Sequence, residues 1–283
     1  MPTSSELSLG EHYQTQSYIL VRRLIEPSEA ETLRTICEDI LRQWFAGVDP
    51  TREKPTASAE ATVMRHLNHP AYFAERPEWF PILMDLIADE RVLSALREVL
   101  DDEPLFRCTS LFFNPRENSR DGNWHRDSQF LTRSDEEEKE FLFNSQRAAG
   151  LQLQMALVPS EDAEVVPGSH LRWDTPEEYH IRKDDGGAHS RSSDMPGALR
   201  VRLEPGDAVA FNPCALHRGR YHTDKLRRTI MLTYTTQSGD HPPDYFNHQP
   251  WFLDPDHLTP LKPQTRAFFE PFVETFRTNW LKA

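Results

Sequence analysis

The stretch Pro205-Gly206-Asp207-Ala208-Val209-Ala210-Phe211-Asn212 reads as a turn and a short apolar strand, and Leu216-His217 follows it, eleven residues ahead of Arg228 on the next expected strand. The same texture runs through the chain from Pro104 onward. Short apolar or alternating runs bounded by Pro, Gly and Asn occur at Phe106 to Phe113, Leu151 to Val158, Ala198 to Leu203, Asp207 to Asn212 and Arg228 to Thr236. Strands this short and this regularly punctuated predict a β-sandwich or jelly roll.

Upstream the period changes. Tyr18 to Val21 suits a strand, and Pro27-Ser28 opens a helix with Ser28 as its cap and Glu31 closing a capping box. Leu33, Ile36, Cys37, Ile40, Leu41 and Trp44 then recur at helical spacing. Gly47 to Glu60 is polar and reads as a loop. Helical spacing returns over Pro77 to Asp101, with Asp89 capping a second helix. The acidic run Asp135 to Glu140 reads as a solvated loop or helix, or as a lid near a site, and the polar segment Thr175 to Pro196 as a long functional loop. A Pro-rich arm (Gly239 to Pro263) and an amphipathic helix (Phe268, Phe269, Phe272, Val273, Phe276, Trp280) close the chain. The expected fold is mainly β with flanking helices, one domain over 1–283. Its helical buttress covers 1–103, the jelly-roll core 104–238, and the arm with the last helix 239–283.

Composition narrows the function. In 283 residues, 45 Asp+Glu against 32 Lys+Arg give a formal charge of −13, which argues against a nucleic-acid partner. No apolar run approaches the roughly 18–20 residues of a membrane span, and Met1 to Gly10 lack a charged-then-apolar leader pattern. The chain is expected to be soluble and cytoplasmic, a monomer or homodimer acting on a small molecule. Cys37, Cys108 and Cys214 are far apart and sit in apolar surroundings, so they read as buried small residues, not as a zinc or dithiol site. With 22 Pro against 11 Gly and neither GxGxxG nor GxxxxGK[ST] present, phosphate-cradling loops are absent.

Chemistry concentrates at Trp124-His125-Arg126-Asp127. On an extended segment His-x-Asp turns both side chains to one face, where they can reach one ion. Alone the pattern is weak, because a surface histidine beside an acid reproduces it, and His222-Thr223-Asp224 is a second copy. Context separates the two: His222 and Asp224 fall in a connection between strands, where charge faces water. His125 and Asp127, by contrast, are followed by the turn, the apolar strand and His217. His125, Asp127 and His217 make up the two-histidine, one-carboxylate set that holds Fe(II) with open positions. Arg228 shares an alternating face with Ile230, Leu232 and Tyr234, so a buried guanidinium is expected there, paired either in a structural salt bridge or with the carboxylate of a small dianionic acid.

Together these residues resemble the phytanoyl-CoA dioxygenase-like family of Fe(II)/2-oxoglutarate-dependent oxygenases. The resemblance rests on Trp124-His125-Arg126-Asp127, Val166-Pro167-Gly168-Ser169-His170, Pro205-Gly206-Asp207, and His217 with Arg228 at the family's spacing. It covers the chain from the first strand to the Pro-rich arm. It implies a double-stranded β-helix with iron at its open mouth, held by His125, Asp127 and His217. It also implies that Arg228 pairs with the distal carboxylate of 2-oxoglutarate, that Gln154 lines the cosubstrate pocket, and that the strand Phe106 to Phe113 adds a contact from among Arg107, Cys108, Thr109 and Ser110. Some members carry Ser or Thr two residues after the distal histidine, where this chain has Gly219. The implied reaction uses Fe(II), 2-oxoglutarate and O2 to hydroxylate an unactivated C–H, releasing succinate and CO2. Asp127 favours hydroxylation over halogenation, since related halogenases replace that carboxylate by a small residue.

For the substrate, Arg172, Arg182, Lys183 and Arg191 offer cations on the long loop, and Phe112, Phe130 and Trp173 offer an apolar wall. Solvated loop charge and ordinary core aromatics are the alternatives. The competing function is a non-redox metal-binding cupin, either a binding module or a metal-assisted hydrolase or isomerase. A serine hydrolase is disfavoured by the lack of a GxSxG elbow.

Overall fold

The computed structural model describes residues 7–50, 56–144 and 150–282, so Thr51 to Pro55 of the expected loop lie outside the described residues. The helices are α1 (Leu9–Gln16), α2 (Pro27–Phe45), α3 (Trp79–Ile87), α4 (Glu90–Leu100), α5 (Asp135–Asn144), α6 (Pro176–Arg182), the kinked turn α7 (Asp184–Gly187) and α8 (Pro263–Trp280). The strands are β1 (Tyr18–Val21), β2 (Val63–Arg65), β3 (Pro104–Phe113), β4 (Arg120–Asp121), β5 (Leu151–Ala156), β6 (Ser160–Val165), β7 (Leu199–Leu203), β8 (Ala208–Phe211), β9 (His217–Tyr221) and β10 (Arg228–Thr236).

All the strand pairs are antiparallel and make two sheets, ordered β1-β8-β5-β10-β3-β2 and β4-β9-β6-β7. This is the jelly-roll architecture of a double-stranded β-helix flanked by helices, as expected. Three strands had no apolar signature: β4 is Arg-Asp, β6 is Ser-Glu-Asp-Ala-Glu-Val and β9 is His-Arg-Gly-Arg-Tyr.

Side-chain alternation splits the larger sheet into two buried faces. One face presents Leu111, Phe113, Leu153, Met155, Ile230, Leu232 and Tyr234, which pack with the buried sides of α2, α3, α4 and α8 into the main core. The other meets the smaller sheet through Ala156, Val209 and Phe211 against Val165, Val201 and Leu203. Toward β10, β3 and β2 that second face turns polar, and there the site lies. A bulge between Thr233 and Tyr234, which pair with Cys108 and Phe106, leaves Arg107 as the extra residue on β3.

Asp89 caps α4 as read, its Oδ1 accepting from the Arg91 amide at 2.9 Å. Helix α2 starts earlier than read: Glu26 is its cap, and Glu29 reaches back to the Glu26 amide at 2.8 Å. Pro27 lacks an amide proton and suits the first helical position, which moves the cap ahead of Ser28. The acidic run becomes α5, with Glu138 buried on its inner side. Among the described residues no helix is long and apolar enough to cross a membrane.

Candidate metal centre

His125 and His217 face each other across an isolated bridge, the His125 amide donating to the His217 carbonyl at 3.1 Å and the reverse bond at 3.0 Å. Asp127 is fixed two residues on, its amide donating to the Pro213 carbonyl at 2.8 Å. The two rings lie 4.2 Å apart between centroids. The carboxylate Oδ1 is 3.6 Å from Nε2 of His125 and 3.8 Å from Nε2 of His217. These are the only residues among those described whose ligand atoms gather as a metal set, all within 4.8 Å of one another.

The proton inventory suits a cation. Nδ1 of His125 lies 2.7 Å from the Asn123 carbonyl, and Nδ1 of His217 lies 2.9 Å from the Ala215 carbonyl. A carbonyl only accepts, so both Nδ1 atoms carry hydrogen and both Nε2 lone pairs point at the gap. Burial drives the His217 pKa well below its ordinary value, and the neighbouring His125 adds to this, so the ring is neutral. Burial also raises the Asp127 pKa, against the lowering influence of His125, Arg107, Arg65 and the Gln152 hydrogen bond. Donors bound at about 2.1 Å to one ion, at 90–120° to each other, stand about 3.0–3.6 Å apart, close to the spacing here. Two imidazole nitrogens and a carboxylate oxygen so gathered are a donor set that fits a divalent ion.

Two supporting residues went unread in the sequence. Gln152 on β5 donates from Nε2 to Oδ2 of Asp127 at 2.6 Å, orienting the carboxylate. Arg126 points away from the metal face and is fully buried. It donates to the carbonyls of Ser169 (2.7 Å) and Cys214 (2.6 Å) and to Oδ1 of Asp174. Asp174 in turn accepts from Arg182 at 2.6 Å, and Arg182 pairs with Glu138 at 2.9 Å. Asp127 is thus carried between two tethered neighbours, Arg126 and Ser128, the latter donating to Glu138 at 3.0 Å. The Pro167 to His170 turn serves the other side of the centre: Ser169 Oγ accepts from the Leu216 amide at 2.8 Å, one residue before His217. His170 is buried and outside the metal set.

The structure does not bring Arg228 to this centre. Its guanidinium lies on the helix-facing side of β10, bonded to Glu38 of α2 at 2.8 and 3.1 Å and to Asn114 at 3.0 Å. Arg227, one residue earlier, takes the opposite face. It is 2% exposed, lies over the rings of Tyr221 (4.5 Å) and Phe112 (5.1 Å), and donates from Nη1 to the Arg220 carbonyl at 2.9 Å. Its buried Nε has no hydrogen-bond partner among the described residues, and neither do Ser110 Oγ and Thr229 Oγ1 on the same face. Gly219 makes room for this arrangement: a Cβ there would fall 2.7 Å from Tyr221 Oη and 2.9 Å from Arg227 Nη1.

Gln154 lies on the same sheet face, 7% exposed, opposite Met231, which is itself opposite Ser110. Of the loop cations, Arg172 is paired with Glu178, Arg182 with Asp174 and Glu138, and Lys183 with Asp135 and Glu138. Arg191 bonds Asn123 at 3.3 Å. Trp173 lies under Lys139, Arg182 and Lys183, whereas Phe130 is 68% exposed with its ring 5.5 Å from that of His125. His222 approaches Asp121 at 3.6 Å and joins no metal set.

No curated protein matches the sequence significantly. Among solved structures, the chain is similar to the non-heme alpha ketoglutarate dependent carbocyclase SnoK from nogalamycin biosynthesis. That match has 17% identity and a TM-score of 0.57, covering 92% of this chain and 95% of the other. It is also similar to EctD from S. alaskensis with bound Fe (21% identity, TM-score 0.57, covering 86% and 80%). A third is AviO1 from Streptomyces viridochromogenes Tue57 (18% identity, TM-score 0.56, covering 82% and 96%). At these identities the likeness is one of fold. Residues 13–229 match the family described as phytanoyl-CoA dioxygenase (PhyH), most of the chain, with the His125, Asp127 and His217 set inside the match. The chain belongs to the phytanoyl-CoA dioxygenase (PhyH) family.

Proposed function

We propose that this protein is an Fe(II)/2-oxoglutarate-dependent oxygenase that hydroxylates an unactivated C–H bond of a small molecule, with release of succinate and CO2. His125, Asp127 and His217 hold the iron. When bound, iron with 2-oxoglutarate and O2 supplies the oxidising power for C–H cleavage. The residues of the chain bind, orient and exclude water. Gln152 keeps one Asp127 oxygen occupied, so that the other is aimed at the ion. Arg227 receives the distal carboxylate of 2-oxoglutarate, taking the part first read for Arg228, and Thr229 and Ser110 offer hydroxyls beside it. Gln154 lines the same pocket.

The observation that carries this reading is the Arg227 guanidinium, buried with a free Nε on the sheet face that also carries Gln152, the residue bonded to Asp127. Two cations so placed repel unless an anion lies between them. A bare metal-binding module, or a hydrolytic cupin that only activates water, has no such need. Solved neighbours include a carbocyclase and an epimerase, so the product must be tested directly. The test is turnover under labelled O2 with 2-oxoglutarate. Hydroxylation requires stoichiometric succinate and a product heavier by one labelled oxygen atom. Succinate release with an unlabelled, isomerised or cyclised product would sink the hydroxylase assignment. Iron binding with no 2-oxoglutarate binding would sink the oxygenase reading itself.

A further inference from the structure

The polar face of the larger sheet carries another cation. Arg65 on β2 stands directly opposite Ser110 on β3, Ser110 opposite Met231 on β10, and Met231 opposite Gln154 on β5. Directly opposed residues in a sheet share a face, so these side chains form one row, a step along from Gln152 that holds Asp127. The Arg65 guanidinium lies over the rings of Tyr245 (5.6 Å) and Phe246 (5.1 Å) in the arm that follows β10. Arg107, at the β3 bulge, lies over the same Phe246 ring at 5.4 Å.

The two arginines differ in what neutralises them. Arg107 is ion-paired with Asp244. Arg65 has no carboxylate partner among the described residues, and its buried Nε–H finds no acceptor there either. Its place relative to Arg227 matters as well. Along β3, Arg227 sits over Phe112, on one side of Ser110, while Arg65 leans toward Phe246 and Arg107, on the other. With one 2-oxoglutarate carboxylate on the metal and the other on Arg227, half-buried Arg65 is met only by the field of Asp127, which also serves the ion, and by no carboxylate at ion-pair distance among the described residues. The open edge of Arg65 on this face suits a second anion.

We propose that Arg65 binds a carboxylate of the primary substrate, which is therefore a small organic acid seated against Tyr245 and Phe246. The two rings hold the planar fork by cation–π contact, and its unpaired edge meets the carboxylate through charge-assisted hydrogen bonds. The proposal rests on the oxygenase reading and extends it to the class of substrate.

The test uses the full chain loaded with Zn(II) as a diamagnetic stand-in for iron. Binding of 2-oxoglutarate is measured first. At saturating 2-oxoglutarate, hexanoate and its uncharged counterpart hexanamide are then titrated by ligand-observed NMR. Wild type should bind hexanoate about 10-fold or more tighter than hexanamide, the scale expected of a hydrogen-bonded charge. Arg65→Met should erase that preference, and Arg65→Lys should keep part of it. Both variants should bind 2-oxoglutarate within about twofold of wild type and show a wild-type-like unfolding midpoint. A preference that is absent from wild type, or that survives Arg65→Met in a folded protein, overturns the proposal. So does an Arg65→Met variant that loses 2-oxoglutarate as Arg227→Met does, which would assign Arg65 to the cosubstrate. Failure of wild type to bind 2-oxoglutarate would sink the oxygenase reading and this proposal together, whereas binding without a hexanoate preference sinks the proposal alone.

Discussion

Arg227 and Arg228 are adjacent but lie on opposite faces of the sheet, so substitutions at the two should be felt in different places. Arg227→Met keeps the stem of a 2% exposed side chain and removes a guanidinium whose buried Nε has no partner among the described residues. Truncating one partner of a buried, hydrogen-bonded charge pair costs about 2–5 kcal/mol. At about 1.4 kcal/mol per decade that is a loss of roughly 30-fold to 3,000-fold in 2-oxoglutarate affinity. Arg228→Met touches another object. It breaks the bonds to Glu38, whose side chain is 40% exposed, so screening limits the cost to about 1 kcal/mol of stability, with cosubstrate binding unchanged.

The assay is an anaerobic titration of the Fe(II) protein with 2-oxoglutarate, followed by the visible charge-transfer band of the chelate, beside urea unfolding of each variant. Arg227→Lys keeps the charge without the fork and should fall between wild type and Arg227→Met. For Arg228 a double-mutant cycle with Glu38→Gln should recover the ion pair as a stability coupling and show none in cosubstrate affinity. If Arg228→Met abolishes the band while Arg227→Met leaves it intact, the assignment of faces along β10 is wrong and the cosubstrate argument built on it fails.

Other consequences can be checked with the same material. Asp127→Ala should weaken divalent-metal binding by at least about 100-fold, and Gln152→Leu by about 10- to 100-fold through loss of the 2.6 Å bond to Asp127, both read by chelator competition; wild-type affinity in Gln152→Leu would remove it from the centre. Burial depresses the pKa of His170 and of His257 to about 4, and both are nearly inaccessible. The unfolded chain takes up those protons first, near the ordinary value of about 6.5, so stability is full above that pH and falls between about 6.5 and 4, by up to roughly 3 kcal/mol per histidine before screening. Urea midpoints compared between about pH 7.5 and pH 4.5 should show this, and His257→Phe should flatten the slope; equal midpoints in wild type would contradict it. Gly206→Ala places a Cβ 2.3 Å from the Ile25 carbonyl at a φ of +91°, and should cost more than about 2 kcal/mol in thermal or urea unfolding; a neutral result would show that the turn relaxes freely.

Period-two patterning made much of this fold legible, and the places where it fell short share a cause. Strands with an apolar face announced themselves at β3, β5, β7, β8 and β10. Strand β6 did not, because its inward positions include acids, and Glu164 stays buried by virtue of a partner from distant sequence, the 2.5 Å bond from Arg218. No pattern local to Ser160 to Val165 contains Arg218. The metal set was legible for the opposite reason: His125 and Asp127 are local to each other, and His217 follows a turn and strand that the sequence spells out.

The arginine turns on the same point. Alternation does put Arg228 with Ile230, Leu232 and Tyr234, and that face is indeed buried. A sheet covered by helices on one side and by a second sheet on the other has two buried faces, however, and the more apolar one belongs to the helices. The face that reaches the metal is the one carrying Thr229, Met231 and Thr233, polar enough to pass for solvent-exposed in a linear reading. Which face leads to the site is decided by a contact across strands, Gln152 on Asp127, since Gln152 pairs with Thr233 and so assigns the odd-numbered residues of β10, and Arg227 before them, to the cavity.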